Sequence, residues 1–92
     1  MEFKHYENEI ALYSETGERL AEITFPYTDE TKSCVNVDHT FVDQSLRGQG
    51  IAGKLMDELV SALKDRGLKA VPTCSYAVNW FEKHPEHDDL KA

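Results

Sequence analysis

Apolar and polar residues alternate along the first forty-odd positions and then switch to a four-residue spacing. Glu2–Tyr6 and Asn8–Ser14 alternate or carry β-forming residues and read as strands. Glu15-Thr16-Gly17-Glu18 reads as a turn. Arg19–Tyr27 predicts a third strand, with Leu20, Ile23 and Phe25 apolar and Ala21 interrupting the alternation. Thr28–Ser33 is a polar connector. Cys34–Val42 gives the clearest strand pattern, with Val35, Val37, His39 and Phe41 on one face and Asn36, Asp38 and Thr40 on the other.

The period then changes. Ile51, Leu55, Leu59 and Leu63 recur every fourth residue, with Met56 and Val60 beside them, which predicts an amphipathic helix. Gly67 stands where a C-terminal cap belongs, after Lys64 and Arg66. Leu68–Cys74 reads as a short strand. Ser75 is the expected N-cap of a second helix with apolar pairs Tyr76/Trp80 and Ala77/Phe81. Pro85 ends it, and the polar tail Glu86–Ala92 is expected to fray. The order β-β-β-β-α-β-α predicts one α/β (α+β) domain over residues 1–92. An antiparallel meander is followed by a parallel, right-handed β-α-β unit.

Ninety-two residues bury about 60% of their extended-chain surface, enough for a thin core. The net charge of −7 argues against a nucleic-acid surface, which needs clustered Lys and Arg. No apolar run approaches the roughly 18 residues of a spanning helix, so no membrane contact is expected. Met1-Glu2-Phe3-Lys4-His5 has no apolar signal region, so a cytoplasmic location is expected. Cys34 and Cys74 are expected to be reduced there.

The candidate chemistry lies at Arg47-Gly48-Gln49-Gly50-Ile51-Ala52-Gly53, a glycine-rich, cationic turn from strand into helix. Helix starts expose unpartnered N–H groups and partial positive charge, and glycines let a phosphate approach them. On pattern alone the same glycines also suit an ordinary βα turn. A P-loop is excluded, because no Gly-Lys-Ser/Thr follows at the required spacing. A dinucleotide fingerprint is excluded too: the glycines follow the fourth strand, and no acidic residue ends a following strand to hold a ribose.

Arg47-x-x-Gly50-x-Ala52 resembles the R/Q-x-x-G-x-G/A signature of the GNAT acetyltransferase superfamily. Val37-Asp38-His39-Thr40, Cys74-Ser75-Tyr76-Ala77 and Trp80-Phe81-Glu82-Lys83-His84-Pro85 resemble its small stand-alone YjdJ-type subfamily. The resemblance implies acetyl-CoA as co-substrate, with residues 47–53 around its pyrophosphate. It implies a splay between the fourth and fifth strands for the pantetheine arm, whose amides pair with backbone near Phe41, Val42 and Asp43. It also implies acyl transfer to an unidentified amine or protein acceptor. Larger members carry two helices between their first two strands that build much of the acceptor site. Here Asn8–Ser14 follows the first strand at once. Two alternatives therefore stand beside the transferase: a non-catalytic acyl-CoA-binding module, and a small protein-interaction domain.

Three residues are candidates for catalysis. Cys74 precedes the second helix, and helix N-termini favour the thiolate form of a cysteine. With His39 as base it forms a pair able to take up and pass on an acyl group. Tyr76 is a candidate acid for the leaving thiolate. Each has a plainer alternative: a packed cysteine, a core histidine, a core tyrosine. Pro72 suits either the splay or a sheet edge. Cys34, on the strand face opposite His39, reads as structural, and Trp80 and Phe81 read as core. His84 and His87 lack a further placed ligand, so no metal site is expected.

Overall fold

The computed structural model describes residues 2–92. Strands β1 (Glu2–Tyr6), β2 (Glu9–Tyr13) and β3 (Arg19–Thr24) form the antiparallel meander. Alternation puts Ile10, Leu12, Ala21 and Ile23 on one face, each at most 2% exposed. Helix α1 (Ile51–Arg66) covers that face with Ile51, Leu55, Met56, Leu59, Val60 and Leu63. His5 on β1 also points to this side, 2.8 Å from Glu58 of α1. Burying one such aliphatic side chain contributes about 1.5–3 kcal/mol, so this contact dominates the core. The helix closes at Gly67, where the Leu68 N–H donates to the Leu63 carbonyl at 2.9 Å.

The strand expected over Cys34–Val42 is broken into two. Strand β4 (Cys34–Val37) pairs parallel with β6 (Lys69–Pro72), while β5 (His39–Val42) pairs antiparallel with β3. The result is a four-stranded sheet ordered β1-β2-β3-β5 and a two-stranded sheet β4-β6. The break is at Asp38. Its N–H reaches the Thr24 carbonyl at 3.3 Å, and Thr24 also faces His39 in register. Two residues against one make a β-bulge, which reverses the alternation beyond it. Val35 and Val37 stay buried as expected. His39 and Phe41, expected on the same face, turn outward instead, and Thr40 and Val42 turn in.

The bulge also makes the expected splay. Thr73 and Cys74 both donate N–H bonds to the Val37 carbonyl, at 3.0 and 3.1 Å, and the parallel ladder stops there. From that point β5 runs on along β3 while the segment leaving β6 turns into α2 (Ser75–Lys83). Pro72 resolves to the sheet edge. Lys69 and Thr73 donate toward the β4 side, so alternation turns residues 70 and 72 to the other edge, where the Ala92 N–H meets the Ala70 carbonyl at 2.9 Å.

Two local expectations are corrected. The N-cap of α2 is Cys74, not Ser75: the Cys74 sulfur accepts the Ala77 N–H at 3.4 Å. The tail 86–92 is packed rather than frayed. Pro85–Leu90 forms a 3-10 segment against α1 and α2, Leu90 is 5% exposed, and Lys91 bridges to Ala70. One buried leucine anchors a segment whose polar composition hid it. Trp80 and Phe81 lie in the core, as read from the sequence.

Candidate active site

The chain leaves β5 through a turn whose geometry is set by Asp43. Its N–H closes the β3 pairing on the Leu20 carbonyl at 2.7 Å. Its carboxylate accepts the Ser45 N–H at 3.0 Å and the Ser45 hydroxyl at 2.5 Å, capping a 3-10 turn over Gln44–Leu46. Ser45's hydroxyl and amide, with Arg47's charge beyond them, hold the Asp43 carboxyl below the usual aspartate range. Leu46 buries itself in the core and fixes the turn from beneath.

Arg47 then extends, and Gly48 and Gly50 take left-handed φ values of +84° and +73°. A Cβ at either would meet nothing within 4 Å. Backbone angle, not crowding, therefore demands glycine here, and the space above both is open. Gly50 is the N-cap of α1 and supplies no side-chain hydrogen bond, and the first turn carries no acidic residue. The Lys54 N–H is the donor to the Gly50 carbonyl, at 3.1 Å. The amides of Ile51, Ala52 and Gly53 precede it and have no partner within the helix. Positive dipole, free donors, open space above glycines and an adjacent guanidinium fit an anionic phosphate group.

These groups border a cleft of about 200 Å³ running from Val42 and Leu46, past Arg47 and the glycines, to Tyr76 of α2. A neighbouring cleft of about 420 Å³ shares Gly53 and Tyr76 and continues to Asp57, Asn79, Trp80, Lys83 and His84. Tyr76 thus stands where the two meet. Burial, and secondarily the charge of Asp57, raises its phenol above the ordinary tyrosine value, so the proton-carrying form is favoured. A wider concavity of about 640 Å³ lies along the β1–β2 hairpin. It mixes Glu2 and Glu15 with Lys4 and is lined by none of the glycine turn.

Of the expected cofactor residues, Val42, Arg47, Gly48, Gly50, Ile51, Ala52 and Gly53 line the first cleft. Phe41 faces away from it, Asp43 is engaged with Ser45, and the Gln49 side chain donates to the Ser45 carbonyl at 3.4 Å. Sequence reasoning missed Leu46, whose signal was an apolar residue directly before the motif. It also missed the α2 residues Asn79 and Lys83, which helical spacing from Tyr76 places at i+3 and i+7.

The structure does not bring Cys74 and His39 together. Cys74 is half-buried against the core with its sulfur on its own helix cap. His39 is on the outer face of the sheet, its Nε2 3.2 Å from Glu22 Oε2. The bulge is the cause, since without it His39 would share the face of Val37. Among the described residues, no cluster of three His, Cys, Asp or Glu side chains is placed to hold a metal, and no helix is long and apolar enough to cross a membrane.

A bulged strand, a bare helix start on a glycine turn and a cleft between them define an α/β domain whose helix N-terminus has the geometry that suits an anionic group. The chain belongs to the GCN5-related N-acetyltransferase family, whose sequence model matches residues 7–90. It is similar to a GCN5-like protein of Staphylococcus aureus at 34% identity, covering 99% of this chain and 87% of that one, with a TM-score of 0.77. It shares its fold with a ribosomal-protein-alanine N-acetyltransferase from Brucella melitensis biovar Abortus (23% identity, 83% of this chain, 60% of that one, TM-score 0.64). The same holds for a GNAT-family acetyltransferase from Staphylococcus aureus Mu50 (15% identity, 84% and 50%, TM-score 0.64). The chain spans three-fifths of the length of the first of these larger proteins and half of the second. No curated protein sequence matches it.

Proposed function

We propose that this domain binds acetyl-CoA at the glycine turn and transfers the acetyl group to an amine, as a small YjdJ-type member of its family working in the cytoplasm. The observation that carries this is the bare N-terminus of α1: three partnerless amides, two left-handed glycines under open space, and Arg47 beside them. Each hydrogen bond to a charged phosphate is worth about 1.5–3 kcal/mol. The pantetheine arm follows the splay. Asp43 bonds toward β3, so the alternation of an antiparallel pair turns the backbone of Val42 to the open side, which makes Val42 the pairing partner for an amide of the arm. Tyr76 holds its proton and is the donor for the leaving sulfur. Transfer is direct in this reading. A relay through Cys74 needs a base for its thiol, and His39 is turned to another face.

A non-catalytic acyl-CoA-binding module is the second reading. It is favoured by the link between β1 and β2, which is a two-residue turn with no helices to build an acceptor site. Turnover separates the two.

Titration with CoA, followed by amide NMR, tests the shared step. The largest shifts are expected at Arg47, Gly48, Gly50, Ala52 and Gly53. Arg47→Ala should weaken binding and flatten its salt dependence, because that contact is charge-assisted and screened. Largest shifts along the β1–β2 hairpin instead would sink the proposal. Mass spectrometry of the intact protein after incubation with acetyl-CoA reports any adduct on Cys74, and a stoichiometric one would overturn direct transfer.

A further inference from the structure

The four-stranded sheet ends in a bare edge at β1. Strand order puts β1 at one end and β5, beside the cofactor cleft, at the other, and among the described residues no strand pairs with the outer edge of β1. We propose that this edge pairs with β1 of a second copy of this chain, antiparallel and two-fold symmetric, with Phe3 opposite the partner's Phe3.

The Phe25 N–H meets the Asn8 carbonyl at 2.9 Å, so Asn8 turns its backbone toward β3. Alternation along β2 then turns Glu9, Ala11 and Tyr13 toward β1, where they face Tyr6, Lys4 and Glu2 in register. Those three residues of β1 use their backbone groups on β2. Phe3 and His5 turn theirs, N–H and C=O alike, to the open edge.

Natural edge strands are blunted by bulges, prolines or guarding charges. Strand β1 pairs with β2 over five residues without a shift of register, and Glu2–Tyr6 contains no proline. Its Lys4 and His5 are held on the two faces rather than along the edge. The Lys4 ammonium lies 5.8 Å from the centre of the Tyr13 ring on the outer face, and His5 is 2.8 Å from Glu58 of α1 on the inner one. The backbone edge between them is open.

Charge selects the register. Centring the pair on Lys4 sets it against the partner's Lys4, and like charges directly opposite repel. Centring on His5 runs Phe3 against the partner's Glu7, which lies in the turn after β1. Centring on Phe3 sets Glu2 against the partner's Lys4, and Lys4 against the partner's Glu2. Backbone hydrogen bonds skip those positions, so facing side chains come closest there. Glu2 and Lys4 are both exposed and free to turn to a partner. Both pairs fall on the outer face, beside the concavity of about 640 Å³ that Glu2, Lys4 and Glu15 line. Phe3 meets its counterpart on the inner face, where it already packs half-buried against the core. The two sheets become one, and both cofactor clefts stay open at its far ends. Each copy carries −7, and that mutual repulsion makes the pairing reversible rather than permanent.

Sedimentation of the intact chain over a concentration series tests this. The mass should rise from 10.5 kDa toward twice that value, and the Phe3 amide should exchange with solvent more slowly in the concentrated sample. Lys4→Glu and Glu2→Lys should each weaken self-association about tenfold or more, because each makes both charge pairs repulsive. An equimolar mixture of these two variants should dimerise again, since every acid then faces a lysine. The double variant Glu2→Lys/Lys4→Glu should recover for the same reason. A chain that stays monomeric at every concentration overturns the proposal. So does a dimer that ignores the single substitutions, or a mixture that fails to recover although both variants melt as the parent does. A parent dimer whose Phe3 amide exchanges as fast as in the monomer overturns it without any variant. None of these outcomes bears on the acetyl-CoA site.

Discussion

The two faces of the four-stranded sheet divide the labour of this domain. The inner face is apolar, closed under α1, and contributes most of the stability. The outer face carries Tyr6, Tyr13, Arg19, Glu9, Glu22 and His39 in a chain of hydrogen bonds and ion pairs open to water. Buried area is worth kilocalories per side chain, whereas exposed ion pairs are worth about 0–1 kcal/mol. A dense polar network on an open face therefore says little about stability. It is free to serve recognition.

The harshest break of that contrast is Leu55→Ala. Leu55 is fully buried at the centre of the inner layer, and the change should cost about 2–5 kcal/mol in chemical denaturation. A loss well under 1 kcal/mol would mean that α1 does not carry the fold. Gly50→Val probes the rim of the inner side, where φ is +73°. The left-handed backbone should cost about 1–2 kcal/mol, and CoA affinity should fall further as the branched side chain fills the open space. Unchanged affinity in a folded variant would move the phosphate site elsewhere.

Asp43→Asn sharpens the contrast through pH. The Asp43 carboxyl is held low by Ser45, then by Arg47, so its folded value lies below its unfolded one. Its stabilisation is present above the ordinary aspartate range and is lost as pH falls through the folded value. The variant should melt below the parent at neutral pH, and the gap should close in acid. A gap that is constant with pH would mean the charge is idle. The smallest effect is expected on the outer face. Arg19→Gln removes contacts to Glu9, Glu22 and Tyr13 together, yet should cost no more than about 1 kcal/mol in stability. A loss comparable to Leu55→Ala would erase the distinction between the faces.

Much of this was legible in the chain. The four-residue spacing from Ile51 to Leu63 marked α1 and its buried stripe, and Gly67 marked its end. The meander, the parallel pair and the glycine turn followed from period and punctuation. His39 shows where that reading stops. Alternation is counted from one residue to the next, so a single bulge at Asp38 reverses every face beyond it while leaving the pattern of residue types untouched. Phe41 and the candidate pair of His39 with Cys74 were misplaced for the same reason.

The sequence by itself determined the elements whose signals are local: strand and helix periods, the cap glycine, and a turn whose left-handed positions only glycine fills without strain. Tertiary structure decided what depends on residues far apart. Thr24 opposite Asp38 set the bulge, Val37 ended the ladder, Ala70 held the tail, and Glu22 found His39 across two strands. Local signals survive in a one-dimensional string because neighbouring residues create them. A bulge or a cross-strand pair exists only once two distant segments have fixed their register, and no single segment of the chain encodes that choice.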